Sequence, residues 1–354
     1  MAAVDWSLAE KVAVRAAGTE PFAQSYHYGS LASDFEELTA LAEEQVAACT
    51  GLRSEAGAAR ARVTDRRGWV QANVASFQRL LRPLTDRLEQ NLAHNPFAPV
   101  ATRIAGAEMG AVLGWMSTRV LGQYDLLVIE DENPEDQDIV YYVGPNIIGL
   151  EKRFAFPPRE FRHWLALHEV THRAQFTGVP WMREHFLGLV SQTVETVDPD
   201  PKRIFDALGR VATDLRSGRN PLDDGGIMAV VASPQQREVL DQVAGLMSLL
   251  EGHGDITMDR AGADQIPSAE RFGAVLRQRR DQVNPIAKMI QKLIGLEAKM
   301  KQYEQGERFI EMVEREGGTE LLDNVWLDPA NLPSIAEIRD PQTWITRVAP
   351  TVAA

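Results

Sequence analysis

The chain has 354 residues, of which 44% are hydrophobic and 25% charged, and a formal charge of −13. That length carries a sizeable core and the composition is that of a folded globular protein, so disorder is not the default. The acidic balance argues against a nucleic-acid binder and against attraction to anionic lipid, and the single cysteine, Cys49, excludes an intramolecular disulfide or a cysteine metal cluster.

Residues 1–10 lack a basic segment followed by an apolar one, so no signal peptide is expected and the cytoplasm is the expected compartment. Residues 31–49 read as an amphipathic helix, with Asp34, Glu36 and Glu37 near its positive end. A second helical pattern runs over 66–92 through Trp69, Val74, Phe77, Leu80, Leu84 and Leu88, with Pro83 as its break. The segment 100–121 is apolar and rich in Gly and Ala. Arg103, Glu108 and Arg119 oppose a membrane span, so a closely packed buried helix is expected.

Residues 122–129 and 138–143 carry the strand patterns, two members of a small sheet. Gly144-Pro145-Asn146 reads as a turn, and Phe156-Pro157-Pro158 leads into the next helix with a proline in its first turn. Beyond it, helices are expected over 181–196, 203–216 and 233–250, with a loop over 218–226. Residues 265–315 are strongly helical, 324–333 irregular, and the tail should pack back through Trp344. This gives a predominantly α chain with a small β-sheet (α+β). Three regions follow, 1–120, 121–260 and 261–354, expected to form one compact unit.

The helix over 161–176 carries His168-Glu169-Val170-Thr171-His172. Residues four apart lie on one helix face a turn apart, so His168 and His172 can aim two imidazoles at one metal ion. Glu169 stands beside them, where a carboxylate could take a proton from water at that metal. Phe161, Trp164, Leu165, His168, His172 and Phe176 follow helical spacing, which puts both histidines on the core-facing stripe. Two buried imidazoles without partners would be costly, whereas zinc satisfies both.

A catalytic zinc takes three protein ligands and leaves a position open. Glu251, in Leu250-Glu251-Gly252-His253-Gly254 at the expected end of a helix, is the leading third ligand, with His253 as the alternative. If Glu251 binds, His253 could orient a ligand or donate to a developing oxyanion. Asp255 reads either as a group orienting a histidine or as a surface carboxylate. His163 is five residues before His168 and points away from the pair, His185 reads as an ordinary helix histidine, and His27 and His94 have no supporting pattern. There is no Gly-rich phosphate loop or dinucleotide fingerprint.

The stretches Leu121-Gly122-Gln123-Tyr124-Asp125, Gly144-Pro145-Asn146, 161–172, Val179-Pro180-Trp181 and 250–254 together resemble a family of bacterial zincin-like hydrolases, some associated with deazaflavin-coenzyme biosynthesis. The resemblance implies a mostly helical zincin-like metallopeptidase fold and says little about substrate. The leading expectation is a zinc hydrolase, most of all a metallopeptidase, acting on a peptide or small molecule, with no nucleic-acid or membrane partner. Two others stay open: a non-catalytic binding protein with a structural metal, and a hydrolase of a small metabolite.

Overall fold

A computed structural model describes residues 3–20, 22, 25–92, 97–126, 138–196, 234–281 and 296–349. The helix expected over 203–216, the loop over 218–226, His94 and residues 127–129 of the first expected strand lie outside them. By contact the chain forms two units, each built from two separate segments. One is Met1–Arg183 with Thr257–Gly273, the other Glu184–Ile256 with Ala274–Ala354.

The first unit opens with helix α1, Trp6–Ala17, whose N-cap Asp5 accepts from the Leu8 amide at 2.9 Å. After the short α2, Tyr26–Gly29, come α3, Leu31–Thr50, and strand β1, Arg60–Thr64. The helical pattern over 66–92 divides into α4, Arg66–Leu80, and α5, Arg82–Leu92. The break falls at Leu81, two residues before Pro83, because the ring at 83 clashes with a helical carbonyl of the preceding turn. Helix α6 spans Ala98–Ser117. Its Gly106, Gly110 and Gly114 lie on Asp5, Ala9 and Ala13 of the α1 segment, so close that a Cβ at Gly114 would come 2.6 Å from the Ala13 carbonyl oxygen. The small residues of the apolar segment therefore serve a tight helix crossing. Among the described residues no helix is long and apolar enough to cross a membrane.

The sheet has three strands in the order β1-β3-β2, with β2 at Gly122–Tyr124 and β3 at Ile139–Val143. Strand β3 is buried throughout, as an unbroken Ile-Val-Tyr-Tyr-Val run in a central position should be. It pairs parallel with β1, Arg60 opposite Ile139, and antiparallel with β2, Gly122 opposite Tyr142. β2 ends at Tyr124, before the end of its sequence pattern, and the Asp125 amide still bonds to the Ile139 carbonyl of β3 at 3.0 Å. Gly144-Pro145-Asn146, expected as a turn, instead opens helix α7, Gly144–Phe154. Asn146 is held there because its amide nitrogen donates to the Ser117 carbonyl at the end of α6 and to the Val120 carbonyl just beyond it, at 2.8 and 2.7 Å. Its oxygen accepts from Arg66 at 2.8 Å.

Helix α8, Pro158–Thr177, runs through this unit with proline at its first position. The sequence reading gave it one apolar stripe, but it is buried on most of its surface, as a central helix is. Two buried arginines clamp it. Arg162 pairs with Glu151 at 2.7 Å and with Asp34, and Arg173 pairs with Asp138 and Glu43, both at 2.6 Å, and donates to the Gly57 carbonyl. An aromatic cluster of Phe156, Phe161, Trp164 and Phe272 covers its first half.

The second unit is helical. It holds most of α9, Met182–Thr196, and of α10, Pro234–Gly262, the end of α11, Ala269–Asp281, and α12, Leu296–Leu322. Short helices Asn324–Leu327, Ile335–Arg339 and Pro341–Val348 close it, where an irregular stretch was expected over 324–333. Its core gathers Leu249, Phe309, Ile310, Val313, Val325, Ile338 and Trp344, so the tail does pack back through Trp344. Helix α10 does not stop at Leu250 but continues to Gly262. Gly252 and Gly306 let α10 and α12 cross backbone to backbone: a Cβ at Gly252 would lie 2.5 Å from the Glu307 nitrogen.

Candidate active site

Helix α8 sets the geometry. Thr171, a β-branched residue in mid-helix, returns its hydroxyl to the Leu167 carbonyl at 2.7 Å and leaves the helix intact around the motif. His168 and His172 stand a turn apart, both half-buried, with ring planes 85° apart and their Nε2 atoms separated by 3.3 Å. The amide oxygen of Gln175, a fully buried side chain, lies 3.0 Å from Nδ1 of His172. An oxygen there can only accept, so Nδ1 of His172 carries the proton and Nε2 keeps its lone pair.

Glu169 is 7% exposed and lies against β2. A Cβ built on Gly122 would come within 2.5 Å of Glu169 Oε1 and 2.6 Å of its Cγ. Opposite Gly122, burial holds the Tyr142 phenol well above its usual range; a hydrogen bond to Thr39 opposes this and the charge of Glu169 adds to it. Tyr142 therefore stays neutral, with its oxygen 2.8 Å from the Thr39 hydroxyl. Burial also holds the Tyr124 phenol above its usual range. The sheet thus places Gly122 and a neutral tyrosine, Tyr142, beside the buried Glu169 side chain.

The donor set can be tested against a metal. An ion held tetrahedrally by two imidazoles at roughly 2.0–2.1 Å requires their nitrogens to be about 3.3–3.4 Å apart, the separation seen for His168 and His172. On α8 the two histidines offer two nitrogen donors, each half-buried; Glu251, half-buried on α10, is the third candidate that the sequence names. Two nitrogens and a carboxylate are a zinc donor set.

His253 is 7% exposed and meets the Trp326 ring edge-on, with centroids 4.9 Å apart. Because α10 is continuous, Glu251 and His253, two residues apart, project about 200° from each other. The two side chains therefore leave the helix on nearly opposite sides. His163 donates to Gln45 at 2.7 Å, away from the motif as the spacing implied. His185 is half-buried and His27 exposed. Sequence reasoning singled out neither Gln175 nor the contact of Gly122 with Glu169. Only Gln175 left a local signal, three residues after His172 on the same helix.

A family model for zincin-like metallopeptidases matches residues 4–345. The chain belongs to that family. The match spans nearly the whole chain, and the mostly helical fold with its small sheet is zincin-like. A crystal structure from Chloroflexus aurantiacus, described as "a putative hydrolase with a novel fold", is similar at 30% identity with a TM-score of 0.72, covering 97% of this chain and 98% of that one. No curated protein matches the chain. Family membership and this neighbour support a metal-dependent hydrolase.

Proposed function

We propose that this zincin-like protein is a zinc-dependent hydrolase, and more narrowly a metallopeptidase. The observation that carries the reading is the pair of Nε2 atoms 3.3 Å apart on one helix, with the buried Glu169 carboxylate one residue along from His168. His168, His172 and Glu251 are assigned as the ligands. Bound there, zinc supplies Lewis acidity, lowering the pKa of water and polarising a carbonyl. Glu169 takes the proton of the attacking water and returns it to the leaving amine. Gln175 keeps the His172 lone pair on Nε2. His253, facing Trp326, is read as a packing histidine rather than the oxyanion donor its sequence context suggested.

A peptide substrate is favoured over a small metabolite by the sheet. Among the described strands β2 is an edge strand, and an edge beside the base offers main-chain groups to an extended chain. Neither a nucleic acid nor a membrane is assigned as a partner, and the cytoplasm is the assigned compartment. An association with deazaflavin-coenzyme biosynthesis rests on sequence resemblance alone.

The test is metal analysis combined with turnover of a broad peptide library by the wild type and Glu169→Gln. One zinc per chain is expected, with cleavage lost in the variant. Full zinc occupancy without Glu169-dependent cleavage of any peptide would sink the peptidase reading and favour the small-metabolite or binding-protein readings.

A further inference from the structure

We infer that Gly122 is a positioning residue for the Glu169 carboxylate: the strand edge fixes where the base stands, and only a residue without a side chain allows it. The inference rests on the hydrolase reading above. A Cβ at Gly122 would lie 2.5, 2.6 and 2.7 Å from Oε1, Cγ and Cδ of Glu169, so the contact runs along the whole carboxyl end of that side chain. Gly122 is not among the glycines with positive φ, so its backbone conformation does not demand glycine; the space does.

Neither backbone at this contact can withdraw, so the Glu169 side chain has to give. Gly122 is paired opposite Tyr142, whose fully buried ring stacks on Phe35 with centroids 3.8 Å apart and whose hydroxyl meets Thr39. On either side of Gly122, the Leu121 carbonyl accepts from Val143 at 2.8 Å and the Gln123 oxygen accepts from the Trp69 indole at 2.8 Å. Glu169 sits on a helix clamped by Arg162 on one side and Arg173 on the other. The strand therefore acts as a wall that limits the carboxylate to positions alongside it. A methyl group on that wall must push the carboxylate aside, and displacement of a general base by about 1 Å costs on the order of 100-fold in rate.

The experiment compares wild type, Gly122→Ala, Glu169→Asp and the double variant on a peptide cleaved by the wild type. Gly122→Ala is expected to lower kcat by about 10- to 100-fold, with KM and zinc content unchanged and the acidic limb of the kcat–pH profile displaced. In the Glu169→Asp background, where the side chain is one methylene shorter, the added methyl should cost little further. Wild-type kcat and pH profile in Gly122→Ala, or an equal loss in both backgrounds, would overturn the inference. Turnover that survives Glu169→Gln would instead overturn the assignment of Glu169 as the base. The contact is then read without activity, from the melting temperature of metal-free protein: Gly122→Ala should lower it in the wild type and much less in Glu169→Ala. Equal lowering in both, or a Gly122→Ala chain that stays unfolded when Glu169→Ala is added, counts against Gly122 as the wall.

Discussion

The amide oxygen of Gln175 lies 3.0 Å from Nδ1 of His172, and that contact decides which ring nitrogen is left to face His168. Replacing Gln175 with Leu removes the acceptor and frees the other tautomer. Zinc affinity is expected to fall by about 10- to 100-fold, the usual effect of losing a group that orients a metal-binding histidine. Competition with a chelator measures it directly. Gln175→Glu, which keeps an acceptor at the same place, should retain the affinity.

Arg173, next along α8, is 1% exposed and holds Asp138, Glu43 and the Gly57 carbonyl together. Arg173→Met would leave two partly buried carboxylates without their common cation. The expected cost is about 2–3 kcal/mol, below the roughly 3–5 kcal/mol of a fully buried pair, because water reaches both carboxylates in part. Chemical denaturation should show it as a lower midpoint. Arg173→Lys should recover only part, since an ammonium cannot serve three acceptors in a planar fork.

His163 gives a stability slope with a definite sign. Burial first, and then the nearby Arg159 charge, hold its pKa below the ordinary 6.5. The folded imidazole stays neutral and donates to Gln45. As pH falls below 6.5 the unfolded chain takes up a proton that the folded chain refuses, so stability falls until the depressed folded pKa is reached, and levels off below it. His163→Gln should flatten this part of a stability-against-pH curve. An unchanged slope would show that other groups cause it.

Removal of the metal should be visible without any substrate. If zinc binds only the folded chain, free metal at 100 times its dissociation constant adds about 2.7 kcal/mol. Chelation of the loaded wild type should lower its melting temperature accordingly. His168→Ala should melt near the stripped wild type and respond little to chelator.

Much of the helical framework was legible because its signals are local. Asp34 and Glu36 near the start of the helix over 31–49, Pro83 in the helical run over 66–92, and Pro158 at the start of α8 each act within a turn of where they stand. The motif itself was legible for the same reason, since residues four apart on a helix must share a face. Strand β1 was not, because Arg60-Ala61-Arg62-Val63-Thr64 has little apolar alternation and becomes a strand by pairing with β3, far along the chain. Gly144-Pro145-Asn146 misled for a related reason: its residues suit a turn, but Asn146 is held by the end of α6 and by Arg66.

Helix periodicity alone places His168, Glu169 and His172 together, a pair of nitrogen donors with a carboxylate beside it. Packing brings that carboxylate against Gly122, which has no side chain, on a strand whose position depends on β3, Tyr142 and Trp69. A helix repeats within four residues, and its contents can be read from a window of that length. The close approach of a strand to a helix depends on packing between distant segments, which no such window contains.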